Sequence, residues 1–430
     1  MAWQPDSERM DREELEQLQL ERLEATLSRV YRSVPFYRKR FDETGFDPDD
    51  LRSLADLRRL PFTTKRDFRE NHPYGLFAVP LRDVVRVHAS SGTTGLATAV
   101  GYTRNDLKTW ADLVARVLVA GGVGKEDVVH VAFDYGLFTG AFGFHHGAER
   151  IGASVIPVSS ANARRQIQII QDYRSTALVT TPSHALVLAD AMIEAGVLRN
   201  ALSLRYGLFG AEPWSESMRE ELEEKLGVKA TDNYGLSEVM GPGVSGECLE
   251  RRGLHIAEDH FLVEVIDPET LEPVPEGQVG ELVLTTLTRE ALPVIRYRTR
   301  DLTSVVRGDC PCGRTLTRMS RVKGRTDDLL IVKGARVFPS EIEAVLLEVE
   351  GTAPHYQIVL ERKGGEDLAT VLVETPEGAV AGPSRADLQA AIQRRLASEL
   401  GVSVSVELVD ARTLQRSEGK ARRVLDRRPS

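Results

Sequence analysis

Six consecutive residues, Ser90-Ser91-Gly92-Thr93-Thr94-Gly95, place four hydroxyls and two glycines in one short stretch. Glycine lets backbone approach an anion, and hydroxyl and N–H groups donate to its oxygens, so the stretch suits a phosphate. No Gly-Lys-Ser/Thr follows, which excludes a Walker loop and a P-loop NTPase. An ordinary Ser/Thr/Gly turn has the same composition. A second candidate chemistry is thiolate. Cys248, His255, Cys310 and Cys312 form a complete Cys3His set that uses all three cysteines of the chain. In Cys310-Pro311-Cys312-Gly313 the glycine allows N–H groups to face sulfur, as in a zinc-holding turn, although the spacing is C-x-C rather than C-x-x-C. A structural Zn2+ and three independent thiols both fit. Lys420, between Gly419 and Ala421, lies in a basic run with Arg416, Arg422 and Arg423, which taken alone is a solvated surface.

The elements that must position these groups follow from length and pattern. At 430 residues, with 42% hydrophobic and 28% charged residues, the chain is too long for one core and has an ordinary globular balance. A net charge of −9 argues against nucleic acid or an anionic membrane as the main partner. The N-terminus has no signal-peptide pattern, no apolar run approaches the ~20 residues that span a bilayer, and three cysteines cannot make a secreted disulfide framework, so a cytoplasmic location is expected. Residues 12–32 carry an amphipathic helix pattern stopped by Pro35. Strands are expected at Val84–His88, Thr98–Tyr102, Val128–Phe133, Ser154–Val158, Ala177–Thr181 and Arg205–Phe209, with helices at Asp106–Val119 and Trp214–Leu226. From Leu254 the texture becomes antiparallel, with strands at Phe261–Ile266 and Gly280–Thr286. After Gly324-Arg325 the order is strand (Leu329–Val332), helix opened by a Ser340-x-x-Glu343 capping box, two strands (Tyr356–Glu361, Leu368–Glu374), helix (Arg385–Leu400) and strand (Val402–Val409). The fold class is therefore α/β: a large multi-layer N-terminal domain with a β-rich subdomain, residues 1–325, and a small C-terminal α/β domain, residues 326–430.

Ala89-Ser90-Ser91-Gly92-Thr93-Thr94-Gly95, followed by Val100-Gly101-Tyr102-Thr103, resembles the phosphate loop of the phenylacetate–CoA ligase branch of adenylate-forming enzymes. The likeness runs nearly end to end. It continues through Pro61-Phe62-Thr63-Thr64-Lys65, Tyr135-Gly136-Leu137-Phe138-Thr139-Gly140, Gly210-Ala211-Glu212-Pro213-Trp214 and Tyr234-Gly235-Leu236-Ser237-Glu238 with Val239–Gly243. Further matches are Glu258-Asp259-His260-Phe261, Ile295–Asp301, Gly324-Arg325-Thr326-Asp327-Asp328 and Ser417-Glu418-Gly419-Lys420. Single motifs of this kind are weak, and their joint order is specific.

The resemblance implies an ATP-dependent ligase that converts an aromatic carboxylic acid to acyl-AMP and transfers the acyl group to coenzyme A. It implies that Lys420 reaches the carboxylate and α-phosphate, and that Glu238 holds Mg2+. Asp301 would accept the ribose hydroxyls and Arg325 would add a ribose or phosphate contact, although an Asp after Arg296, Arg298 and Arg300 equally suits a salt bridge. Gly210, Ala211, Glu212 and Pro213 with Asp232, Asn233 and Tyr234 would form the adenine slot. Tyr135, Phe138, Ala211, Gly235, Met240, Gly241 and Pro242 would line the acid pocket, where aromatic and small residues suit a flat ring. Asp327 matches the hinge on which the small domain swings between two poses. Lys333, Gly334 and Arg336, with Arg314, are candidates for CoA.

Leu96 stands where this family usually carries lysine, and losing that charge is expected to weaken a phosphate contact while leaving the backbone cradle unaffected. Ser159-Ser160-Ala161-Asn162 replaces a more Gly-rich stretch, and His145-His146 are expected beside the pocket, so a different aromatic acid stays open. Transfer to a carrier-protein phosphopantetheine and a non-catalytic nucleotide-binding homologue are the competing readings. Leu96 favours the second; Glu238, Asp301 and Lys420 oppose it. No nucleic-acid or membrane partner is expected, and a homodimer is left open.

Overall fold

The apolar stripe over residues 12–32 forms a helix from Arg12 to Ser33, capped where Asp11 accepts the Glu13 N–H at 2.9 Å. Leu15, Leu23, Leu27 and Val30 bury one face of it, and Pro35 starts a separate helix, Pro35–Thr44. The computed structural model describes residues 1–90, 97–159, 161–328, 330–332, 335–349, 351–352, 355–363, 366–375, 384–414 and 423–428. Among the described residues no helix is long and apolar enough to cross a membrane.

β1 (Arg86–Ala89) and β2 (Ala99–Tyr102) form an antiparallel hairpin on either side of the hydroxyl-rich stretch. β3 (Val128–Val131), β4 (Ser154–Pro157), β5 (Ala177–Thr180), β6 (Tyr206–Gly210) and β7 (Lys229–Leu236) then pair in parallel. Helices Gly140–Ile151, Ala163–Asp172, Pro182–Glu194 and Glu216–Leu226 connect them, as alternating patterns require. β8 (Gly241–Glu247) turns back antiparallel on β7, and β9 (Leu254–Ile256) follows it. Next come β10 (Phe261–Ile266), β11 (Gly280–Thr286), β12 (Tyr297–Thr303), β13 (Val305–Val306), β14 (Arg318–Met319) and β15 (Gly324–Arg325). The nine-stranded sheet has the order β13-β14-β9-β8-β7-β6-β5-β3-β4, and β10-β11-β12-β15 make a second, antiparallel sheet. The bounds of β10 and β11 are those the sequence implies.

Helix Arg104–Ala120 fixes the turn of the β7–β8 hairpin. Thr103 and Asp106 cap it reciprocally, and Trp110 donates its indole N–H to the Pro242 carbonyl at 2.9 Å. Tyr102 stacks on Trp110 at 4.9 Å and donates its hydroxyl to the Met240 carbonyl, so one aromatic pair holds the chain where the turn enters β8.

The C-terminal part has its own core, built on Val337, Ile342, Ile358, Val371, Ile392 and Leu396. Its strands are β16 (Leu330–Val332), β17 (Ala335–Val337), β18 (Tyr356–Lys363), β19 (Glu366–Glu374), β20 (Ser405–Val409) and β21 (Val424–Asp426), the last four in the order β20-β19-β18-β21. Helix Arg385–Leu400 has its expected bounds. The other helix, Pro339–Leu347, starts earlier than expected. Ser340 does not cap it, because Pro339 already takes the first helical position and Glu341 accepts the Phe338 N–H at 2.9 Å. Glu343, expected to close that box, is released to another role.

A buried polar chain links β3 to the helices beside it. His130 Nε2 meets Gln166 Oε1 at 3.1 Å, and Gln166 Nε2 meets His184 at 3.0 Å, which fixes His130 as the Nε2–H tautomer. Burial outweighs the Gln166 bond and pushes His130 down to about 4. The folded chain thus binds this proton less readily than the unfolded one, whose pKa is about 6.5. The associated stability is present above pH 6.5 and is lost as pH falls toward 4, on the order of 3 kcal/mol. Urea unfolding across pH 4–8 checks this, and His130→Asn is expected to flatten the acid limb.

Candidate functional site

The C-terminal ends of the parallel strands open on a cleft of about 810 Å3, where an α/β sheet commonly binds ligands. Phe133, just beyond β3, Ala211, just beyond β6, and Asn233 on β7 line one side. Glu343, Tyr356, Arg423 and Val424 of the C-terminal part line the other. Two local backbone features shape the floor. Ala211 adopts a left-handed φ of 69°, which a non-glycine residue rarely takes without surrounding constraint. Gly235 lies where β7 meets β8 so closely that a Cβ would stand 2.0 Å from the Gly241 carbonyl oxygen, so no larger residue fits.

Three phenyl rings gather at one end. Phe133 lies 6.1 Å from Phe138 and 6.2 Å from Phe144 between ring centroids, and all three line the cleft together with Gly140 and Pro242. Toward the other end, Arg325 donates to Asp301 at 2.8 Å and to Asp327 at 2.9 Å, while Tyr234 donates its hydroxyl to the other Asp301 oxygen. The pairing of β12 with β15 sets this bridge by placing Asp301 opposite Arg325. The three arginines preceding Asp301 are not its partners: Arg296 pairs with Glu264, Arg298 pairs with Glu281, and the Arg300 N–H points to Glu281.

Across the cleft, Arg423 reaches Glu343 at 3.3 Å and lies 4.4 Å over the Tyr356 ring, and Tyr356 donates its hydroxyl to Glu343 at 3.2 Å. Burial raises the Glu343 carboxyl above the usual range, Arg423 opposes this, and the nearby Glu212 adds to it. Glu212 itself accepts the Ser183 N–H at 2.7 Å at the start of helix Pro182–Glu194. Among the described residues no hydrogen bond or ion pair engages the buried Glu238 carboxylate, which lines the cleft and faces Tyr297. An acid so placed fits a hard cation.

Of the residues expected here, Ser90, Ala211, Glu212, Pro213, Asn233, Glu238, Arg325 and Asp327 line the cleft, as do Phe138, Gly235 and Pro242. Others do not. Gly210 packs its backbone against Asn233, and Tyr135 turns to Phe142 and His145. Met240 is buried against Arg289, and Gly241 packs under Trp110. His145 and His146 pair with Glu149 rather than lining the cleft. Asp232 is turned away from the cleft. It is buried beside Glu247, and burial and then that neighbour push its carboxyl up to about 8, with Arg219 opposing them. Arg314 cannot take a CoA phosphate, because it is sealed at 2% exposure against Glu8 at 2.6 Å. Cys248, His255, Cys310 and Cys312 do come together, outside the cleft. Ser91, Gly92, Thr93, Thr94, Gly95, Leu96, Ser160, Lys333, Gly334 and Lys420 lie outside the described residues, as does the side chain of Arg336. Sequence reasoning missed Phe133, Phe144, Glu343, Tyr356 and Arg423 as cleft residues. A Glu between Ile342 and the apolar positions 345 and 346 was the one available signal.

Two family models match the chain: AMP-binding enzyme over residues 23–287, and AMP-binding enzyme C-terminal domain over residues 334–428. The phenylacetate–coenzyme A ligase of Thermus thermophilus is 50% identical, with 100% of both chains covered. That of Escherichia coli is 49% identical over 97% of this chain and 95% of its own. Among solved structures, 2-hydroxyisobutyryl-CoA ligase in the postadenylation state with 2-HIB-AMP superposes with a TM-score of 0.92 at 31% identity, covering 98% of this chain and 91% of that one. The same enzyme in its thioesterification state, with 2-HIB-AMP and CoA, gives 0.73 at 32% identity, over 99% and 92%.

Removing one partner of a buried pair strands the other. Arg423→Met is therefore expected to cost roughly 3 kcal/mol in the unfolding transition of the C-terminal part. Adding Glu343→Gln should recover more than half of that loss, as a denaturation double-mutant cycle would measure.

Proposed function

The chain belongs to the AMP-binding enzymes and, within them, to the phenylacetate–coenzyme A ligases, and from that membership we propose phenylacetate or a close aryl acid as its substrate. A carboxylate oxygen attacks the α-phosphorus of ATP, and the bond to the leaving pyrophosphate breaks, giving acyl-AMP. The CoA thiolate then attacks the acyl carbon, and the bond to AMP breaks. Splitting the reaction in this way gives a poor electrophile a good leaving group. The observation that carries the choice of acid is the Phe133–Phe138–Phe144 cluster, an apolar slot for a flat ring.

In this reading, Ser90 and the stretch through Gly95 cradle the phosphates. Asp301 accepts both ribose hydroxyls. Each carboxylate oxygen has two lone pairs, so capacity remains beside the Arg325 and Tyr234 bonds. Ala211–Pro213, Asn233, Tyr234 and the backbone of Asp232 form the adenine slot. Glu238 would hold Mg2+, which when bound supplies charge neutralisation for the phosphates. Lys420 brings a cation to the reacting oxygens. The described residues of the cleft include five carboxylates, Glu212, Glu238, Asp327, Asp328 and Glu343, against Lys65, Arg325 and Arg423. Two further anions therefore need imported positive charge, which supports both roles. The Cys3His quartet takes no part in the reaction.

The boundary between the two domains falls at residues 325 and 326, and Asp327 is the hinge. The closer superposition on the postadenylation arrangement supports an adenylation-side pose here, with Lys333, Gly334 and Arg336 facing CoA in the other. Transfer to a carrier protein is not favoured, since relatives at 48–50% identity over nearly the whole chain are coenzyme A ligases.

Acid-dependent ATP–pyrophosphate exchange across phenylacetate, benzoates, hydroxybenzoates and short fatty acids is expected to peak with phenylacetate or a close aryl acid. No exchange with any acid would sink the proposal. Lys420→Ala should abolish exchange yet spare thioester formation from supplied acyl-AMP; equal loss of both half-reactions would count against alternation. Asp301→Ala should raise KM for ATP about tenfold or more, read from initial rates, because a charged acceptor pair is lost.

A further inference from the structure

We propose that Cys248, His255, Cys310 and Cys312 bind a single Zn2+ as a closed structural site. The four side chains come from separate places: Cys248 just after β8, His255 on β9, and both remaining cysteines on the turn before β14. One ligand atom from each lies within 4.8 Å of all the others. Cys248 Sγ is 3.7 Å from Cys310 Sγ, and Cys312 Sγ is 3.5 Å from His255 Nε2. A tetrahedral ion with Zn–S near 2.3 Å and Zn–N near 2.05 Å has edges of about 3.8 Å and about 3.5 Å, so both measured edges match. A disulfide needs sulfurs about 2.05 Å apart, and 3.7 Å is far outside that.

The surroundings suit a metal as well as the distances do. The turn closes where Gly313 donates its N–H to the Cys310 carbonyl at 2.8 Å, with Gly313 at a left-handed φ of 84°. Three thiolates around Zn2+ leave one net negative charge. Arg314 stands against Cys312 to meet it, and Glu8 holds Arg314 in turn. Cys248, His255 and Cys310 are buried, and four protein ligands leave no open coordination position, which marks a structural ion rather than a catalytic one. Uptake replaces three S–H bonds with Zn–S bonds and releases three protons to solvent. The ion would pin β8, β9 and the 310–313 turn together at the edge of the nine-stranded sheet. Through Arg314 and Glu8 it would also anchor the N-terminal helix Pro5–Glu8.

The test is metal analysis of the full chain, purified without chelator and dialysed with zinc. About one zinc per chain is expected, released when a mercurial blocks the thiols, and falling about tenfold in Cys310→Ser/Cys312→Ser. Should that variant fail to fold, wild-type chain grown in cobalt is a second measurement. Its expected signature is the intense red-region bands of tetrahedral cobalt with sulfur-to-metal charge transfer in the near ultraviolet. Wild-type chain with neither zinc nor that spectrum would overturn the proposal, and so would a folded double-serine variant that retains its metal. The ligase reading survives either result, since ATP–pyrophosphate exchange is scored separately.

Discussion

Like charge is the constraint that the rest of this structure answers. A carboxylic acid and a nucleotide triphosphate must approach within bonding distance inside a cleft already rich in carboxylates. The two guanidinium groups among its described residues are committed: Arg325 to Asp301 and Asp327, and Arg423 to Glu343. These pairs hold the walls in place and cannot neutralise the reactants without giving up their partners. Beside these two, Lys65 is the one other basic side chain among the described lining residues, so under the proposed reaction further positive charge would come from a metal held at Glu238 and from Lys420.

Much of the frame was legible because burial imposes a period. β10, β11 and helix Arg385–Leu400 appear with their expected bounds, each an uninterrupted apolar pattern between turn residues. The failures have physical causes. Pro339 moved a helix start toward the N-terminus, since proline at the first position costs no hydrogen bond, and this turned Glu343 from a cap into a cleft residue. β8 escaped notice because Gly241, Gly243 and Gly246 lack the side chains that mark a strand, although every residue in it is buried. Arg314 reads as a surface cation until Glu8, more than three hundred positions away in sequence, is seen to seal it. Pairings of that range leave no local pattern.

Two places where local preference loses lie at the cleft. Ala211 occupies a backbone region that favours glycine, and β7 and β8 meet at Gly235 more tightly than any side chain permits. Both residues line the cleft, where the chain has to bend without filling space. Surrounding structure sustains such strain: Trp110 holds the hairpin turn through Pro242, and Asn233 donates to the Phe209 carbonyl at 2.6 Å beneath Gly210.

The contact between Glu8 and Arg314 bears on how the polypeptide would be handled at the bench. A protease that clipped the chain just before Met10 would remove Glu8 together with the Met1 carbonyl that also accepts from Arg314. Arg314 would then lose its carboxylate partner and part of its cover together, and keep Cys312 as its remaining acidic neighbour. Trimming a few residues that look dispensable on paper would thus loosen the turn that follows Cys310 from the segment that now holds it.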